Sequence, residues 1–113
     1  MTDYKPGDVV LVPYPLGQAS SPKKRPALVI SPEAYNQATG ELIMAQITSR
    51  VSAPPRPGDY RIQDWQEAKL PRPALVRARL ATLKAAQVLR KLGELKEGDL
   101  AGVQEALRGV ICQ

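Results

Sequence analysis

Apolar residues along the chain fall into short unbroken runs separated by proline-rich polar stretches, and one segment alone repeats at the helical period. Val9-Val10-Leu11-Val12 follows the turn sequence Lys5-Pro6-Gly7-Asp8 and predicts a first strand. Pro13-Tyr14-Pro15 stops it, because proline has no amide hydrogen to give to a neighbouring strand. Leu28 to Ser31 continues a second strand that Lys23-Lys24-Arg25-Pro26-Ala27 opens. Pro32-Glu33-Ala34-Tyr35-Asn36 predicts one helical turn with Ser31 as N-cap and Pro32 at the first helical position, ended by Thr39-Gly40. Leu42 to Thr48 is a third strand whose mostly unbroken apolar character predicts burial on both faces. Ser52 to Gly58 holds three prolines and is loop. Asp59-Tyr60-Arg61-Ile62 predicts a short strand, and Asp64-Trp65-Gln66-Glu67 has the spacing of a capping box. Pro73 to Leu80 begins apolar and then alternates, with Arg77 and Arg79 on one face. Val88 to Leu92 is a further strand ended by Gly93. From about Gly98 the chain predicts a helix, because Leu100, Val103, Leu107, Val110 and Ile111 recur at threes and fours.

Short strands, proline-rich loops and a closing helix make a mainly β chain with helices, of the α+β class. The arrangement they predict is a small, curled, antiparallel barrel-like sheet with a C-terminal α-helix. Its 113 residues fit one domain spanning 1–113. Arg-Pro-Ala-Leu-Val occurs twice, at 25–29 and 72–76, but the flanks do not match and such runs recur by chance in core strands.

Charge narrows the partners. Sixteen Lys and Arg against eleven Asp and Glu leave a net +5, which favours nucleic acid or an acidic protein. No segment approaches the ~20 apolar residues of a membrane span, and the first residues lack a signal-peptide core, so no membrane is expected. Cys112 is alone, which rules out a disulfide framework and predicts a free thiol in a reducing cytoplasm. Histidine is absent, which removes Ser-His-Asp and Cys-His hydrolysis and histidine-ligated zinc. Asp59, Asp64 and Glu67 raise a magnesium site as an idea. Turn and cap roles account for Asp64 and Glu67, so neither a metal nor a cofactor is expected.

Three consecutive cations, Lys23-Lys24-Arg25, lead straight into a core strand. An arginine there has its guanidinium held in place, the arrangement that grips phosphate with a planar two-pronged donor. The plainer reading is a basic loop before a buried strand. Thr48-Ser49-Arg50 puts two hydroxyls and a cation at a strand end, although Thr48 also fits as an ordinary β-branched strand residue. RNA can be cut by its own 2′-OH, and such a site needs the charge on the phosphorane stabilised, a task suited to a rigid guanidinium. Single strands are gripped by cations and by stacking on aromatic rings. Tyr14, beside the basic loop, is the stacking candidate, and Trp65 reads as a core plug. Lys23, Lys24, Ser49 and Arg77 are candidate RNA contacts; the plainer reading of each cation is a solvated surface charge, which for Lys23 and Lys84 fits at least as well.

Taken in order, Gly7-Asp8-Val9-Val10-Leu11-Val12-Pro13-Tyr14-Pro15, Lys24-Arg25-Pro26-Ala27-Leu28-Val29-Ile30-Ser31, Ile47-Thr48-Ser49, Asp64-Trp65, Leu80-Ala81-Thr82-Leu83 and Leu89-Arg90-Lys91-Leu92-Gly93 resemble the MazF/PemK (Kid-like) family of toxin–antitoxin endoribonucleases. The resemblance implies an SH3-like barrel, a homodimer, metal-independent cleavage of single-stranded RNA, and a cognate antitoxin with an acidic, partly disordered tail. It places the family's essential arginine on Arg25 and its essential threonine on Thr48, and assigns Pro13 to Lys24 to the RNA channel. The chain departs from the family pattern at Tyr14 and Leu16, where phenylalanines are usual, at Gly17-Gln18, at Lys84 and at Lys96. Two rival readings stand beside it. One is a toxin of the same fold that poisons DNA gyrase; the other is a non-catalytic, basic SH3-like module that binds RNA or protein.

Overall fold

Six strands form one antiparallel sheet in the order β4-β5-β3-β2-β1-β6. The structure is a computed structural model and describes residues 3–15 and 23–112. Along the chain come β1 (Asp8–Pro13), β2 (Lys24–Val29), α1 (Glu33–Thr39), β3 (Glu41–Thr48), β4 (Tyr60–Arg61), β5 (Leu75–Lys84), a 3-10 turn (Ala85–Gln87), β6 (Arg90–Glu94) and α2 (Glu97–Ile111). The sheet curls into a half-barrel, an α+β fold. No helix among the described residues is long and apolar enough to cross a membrane.

The unbroken apolar runs of β1, β2 and β3 are explained by burial on both faces. On the inner face Val9, Leu28, Ala45, Ile47 and Val76 pack with Ile62, Ala68 and Leu70, under Val103 and Leu107 of α2. On the other face Val10, Val12, Ala27, Val29, Leu42 and Met44 form a second cluster that includes Tyr14. Trp65 packs against the inner cluster, the core plug that the sequence predicts.

Several local expectations are corrected. Ser31 does not cap α1: its hydroxyl bonds Asn36 Oδ1 and accepts the amide of Ile43, and extended Pro32 takes the cap position. The helix runs seven residues and stops at left-handed Gly40 (φ 72°). Asp64 and Glu67 form no capping box; the Asp64 amide goes to Asp99, and Glu67 pairs with Lys96 at 2.8 Å. β5 continues to Lys84 rather than ending near Leu80, because Ala81 and Leu83 pack on the second cluster. The apolar stripe of α2 outruns the core: Val110 and Ile111 stay 45% and 56% exposed.

Candidate functional site

A cleft of about 340 Å³ opens where β2 enters the sheet and β3 leaves it. Lys24, Arg25 and Pro26 line it from β2, while Ile47, Thr48, Ser49 and Arg50 come from the end of β3 and the turn beyond. The far wall is Leu70, Pro71, Arg72 and Ala74, the segment leading into β5. Ala27 pairs with Gln46 across β2 and β3. That pair ends the ladder, and Arg25 and Thr48 each lie two residues beyond it on their strands, at the same end of the sheet because antiparallel strands advance in opposite directions. Thr48 meets Leu75 of β5 on its other side. The two copies of Arg-Pro-Ala-Leu-Val therefore open the two strands that flank β3, and the arginine of each copy lines the cleft. What reads as a chance repeat in the sequence is, in space, a matched pair of strand entries.

Lys24, Arg25, Arg50 and Arg72 line the cleft with no carboxylate among the lining residues. Among the described residues none of the four takes part in a salt bridge. A recess lined by one sign of charge focuses the field and raises the local concentration of an anion. Thr48 Oγ1 accepts the amide of Arg50 at 3.2 Å. That bond engages a lone pair and leaves the hydroxyl proton available as a donor.

The stretch that leads to the far wall is held from α2. Asp99 is buried, and its carboxylate accepts the Tyr60 hydroxyl at 2.7 Å and the amides of Gln63 and Asp64 at 3.0 and 2.9 Å. Burial, reinforced by this bond to Asp99, pushes the Tyr60 hydroxyl up to about 12. Residues 64–70 then turn, and Lys69 adopts φ 64°, the left-handed region that side chains rarely enter. This turn lies on β6 so closely that a Cβ on Gly93 would stand 2.4 Å from the carbonyl oxygen of Ala68.

The structure brings Arg25, Thr48, Lys24 and Ser49 to one cleft. Lys23 is exposed one residue before β2. Two expectations are corrected. Tyr14 offers no stacking face: it is 1% exposed, and its hydroxyl reaches the carbonyl oxygens of Met44, at 3.3 Å, and Arg79. Arg79 belongs to an irregularity in β5, where Ala45 pairs with Leu80 while the next residue, Gln46, pairs with Arg77. The hydroxyl thus satisfies a carbonyl that this bulge frees, and burial pushes it up to about 12. Arg77 is not a free cation either. It holds Asp59 through Nε and Nη2 at 3.1 and 3.0 Å, with the two side chains 11% and 7% exposed. The Asp59 and Glu67 carboxylates pair separately, with Arg77 and Lys96, and among the described residues no three acidic or thiol groups converge on a metal-sized space. The loop over 16–22 lies outside the described residues. Arg50, read from the sequence as a cation at a strand end, and Arg72, which heads the second Arg-Pro copy, were not among the expected contacts, and both line the cleft.

A family model described as PemK-like, MazF-like toxin of type II toxin–antitoxin system matches residues 5–111. The chain belongs to this family. The toxin also resembles solved structures over nearly its whole length. MazF from Deinococcus radiodurans is 28% identical with TM-score 0.72, covering 98% of this chain and 100% of that one. A MazE–MazF crystal structure from the same organism is 26% identical with TM-score 0.72, covering 98% and 99%. An endoribonuclease from a mycobacterial species, solved with its cognate antitoxin, has TM-score 0.74 at 21% identity, covering 93% and 91%, a likeness of fold. No curated protein sequence matches the chain significantly.

Proposed function

We propose that this toxin is an endoribonuclease that cuts single-stranded RNA without a metal, using Arg25 and Thr48. One observation carries the reading: a guanidinium and a hydroxyl 23 positions apart in sequence line one cleft with three further cations and no acid. In the reaction the 2′-oxygen attacks the adjacent phosphorus as it loses its proton to solvent water, which returns one to the 5′-oxygen, and the bond from phosphorus to the 5′-oxygen breaks. The 5′-oxygen leaves with a proton, giving a 2′,3′-cyclic phosphate and a 5′-hydroxyl. Arg25 stabilises the extra charge on the phosphorane and serves as a donor toward the leaving oxygen. Thr48 donates to a phosphate oxygen. Lys24, Ser49, Arg50 and Arg72 hold the backbone on either side, and Lys23 extends that cationic rim.

The test is cleavage of single-stranded RNA in EDTA, with the new 5′ ends examined for hydroxyls. Arg25→Ala should fold normally and lose on the order of a hundred- to a thousandfold in rate, the typical cost of one such donor. An Arg25→Ala protein cutting at the wild-type rate removes the reading. An RNA substrate places the toxin in the cytoplasm.

The solved relatives bound to antitoxins support a cognate antitoxin for this chain. An acidic, partly disordered tail fits the cationic cleft and blocks it by occupancy. Its affinity should fall steeply as salt rises, and an affinity indifferent to salt would exclude this mode. The toxin is also proposed to be a homodimer. Leu80, Val110 and Ile111 remain exposed, and Val110 sits beside Gly58 and Ala78, on the face of β5 that Leu80 shares. An apolar patch of this kind marks an interaction surface.

A further inference from the structure

Among the described residues two wholly covered side-chain atoms have no hydrogen-bond partner, Arg25 Nε and Gln46 Oε1. One can only donate and the other can only accept. Gln46 is 8% exposed in the middle of the sheet. Arg25 pairs across β1 and β2 with Val12, and Gln46 pairs across β2 and β3 with Ala27. Ala27 is two residues from Arg25 on the same strand, so all four share one sheet face. Arg25 and Gln46 are thus diagonal neighbours, a separation that long side chains span, and the residue between them is an alanine. Arg77 pairs with Gln46 on its other side; it gives Nε–H and one Nη2–H to Asp59 and makes no bond to Oε1. Buried donors and acceptors in folded proteins seldom stay unpaired.

We propose that Gln46 is the positioning residue of Arg25: with a phosphate in the cleft, Gln46 Oε1 accepts the Nε–H of Arg25 and leaves both terminal guanidinium nitrogens aimed at that phosphate. Gln46 does not line the cleft, so it acts through the arginine rather than on the RNA. The inference rests on the ribonuclease reading for its kinetic consequence and on the sheet register for its geometry.

Two measurements test it on the full chain. In the first, the Nε–H resonance of Arg25 is followed by NMR on adding inorganic phosphate and then a short oligodeoxynucleotide, which cannot be cut by this route. Wild type should show the signal shifting and its solvent exchange slowing, and Gln46→Leu should abolish both changes. In the second, Gln46→Leu should lower kcat for RNA up to about a hundredfold, the scale on which small misplacements of catalytic groups act, with KM held. Gln46→Glu, which keeps an acceptor, should restore much of the rate, and Gln46→Leu should cost nothing further in an Arg25→Ala background. If Gln46→Leu does not fold, Gln46→Asn serves in both arms, because it withdraws the acceptor by one methylene. An unchanged Arg25 signal in wild type with both ligands, an unaltered response in the Gln46 variants, or losses that multiply with Arg25→Ala each overturn the proposal. A wild-type protein that leaves RNA uncut overturns the ribonuclease reading alone, since the NMR arm involves no turnover.

Discussion

Removing the Asp99 carboxylate should detach the far wall of the cleft from α2. Asp99→Ala deletes three hydrogen bonds to a buried charge, from the Tyr60 hydroxyl and from the amides of Gln63 and Asp64. Bonds to charged groups contribute about 1.5–3 kcal/mol each, which sets an upper bound well above the true loss. Gln63 is exposed and Asp64 half-buried, so water recovers part of what their amides give up. Asp99 also lies in the first turn of α2, where a negative charge adds about 0.3–1 kcal/mol. Together these place the destabilisation at about 3–5 kcal/mol, a large share of the 5–15 kcal/mol typical of a domain. Asp99→Asn keeps the shape and one acceptor and should lose about half as much. Urea unfolding would read the change as a lower midpoint at unchanged slope. Hydrogen exchange would show the amides of Gln63 and Asp64 losing protection while those of β3 keep theirs relative to global stability. A loss below about 1 kcal/mol, the scale of one ordinary neutral bond, or amides as protected as before, would refute the role given to Asp99.

The Arg77–Asp59 pair makes stability depend on pH. The Arg77 guanidinium holds the Asp59 carboxyl below its usual 3.8, with the amide of Arg56 assisting against the cost of burial. A carboxyl lowered by folding contributes fully above its unfolded value and loses that contribution as pH falls through the folded one. The stability difference between wild type and Asp59→Asn should therefore be constant near neutrality and shrink below about pH 4; a difference flat through the acid range would exclude the linkage. Leu80→Glu puts a charge into the exposed patch beside Val110, and sedimentation should show wild type at twice the chain mass and the variant at the monomer mass. A wild-type monomer would exclude the proposed homodimer.

Much of the fold was legible because its signals are local. Proline and glycine punctuate the strands, and the α2 stripe at threes and fours marked a helix that begins at Glu97. Arg25 and Thr48 were legible as residues at strand ends, but their convergence depends on the β2–β3 register, which no local pattern encodes. Tyr14 and Arg77 misled for the same reason. Each looks like a surface group in sequence, and only a partner 65 positions away, the Arg79 carbonyl, or 18 positions away, Asp59, turns it inward. Arg50 follows Thr48-Ser49 and Arg72 heads the second Arg-Pro copy, but only their position in space shows that both line the cleft. Ser31 failed as a cap because Ile43, twelve residues on, claims its hydroxyl.

The slot between the two Arg-Pro copies has unequal jaws. One is built into a strand clamped by β1 and β3, while the other hangs on an irregular stretch held by the Asp99 carboxylate, the Glu67–Lys96 pair, the packing of Ala68 and Leu70 and a close backbone contact at Gly93. The first jaw sets where the chemistry happens, and the second sets how wide a guest is admitted. Sequence drift confined to residues 63–73 can thus re-tailor the aperture while the reacting centre stays where the sheet puts it.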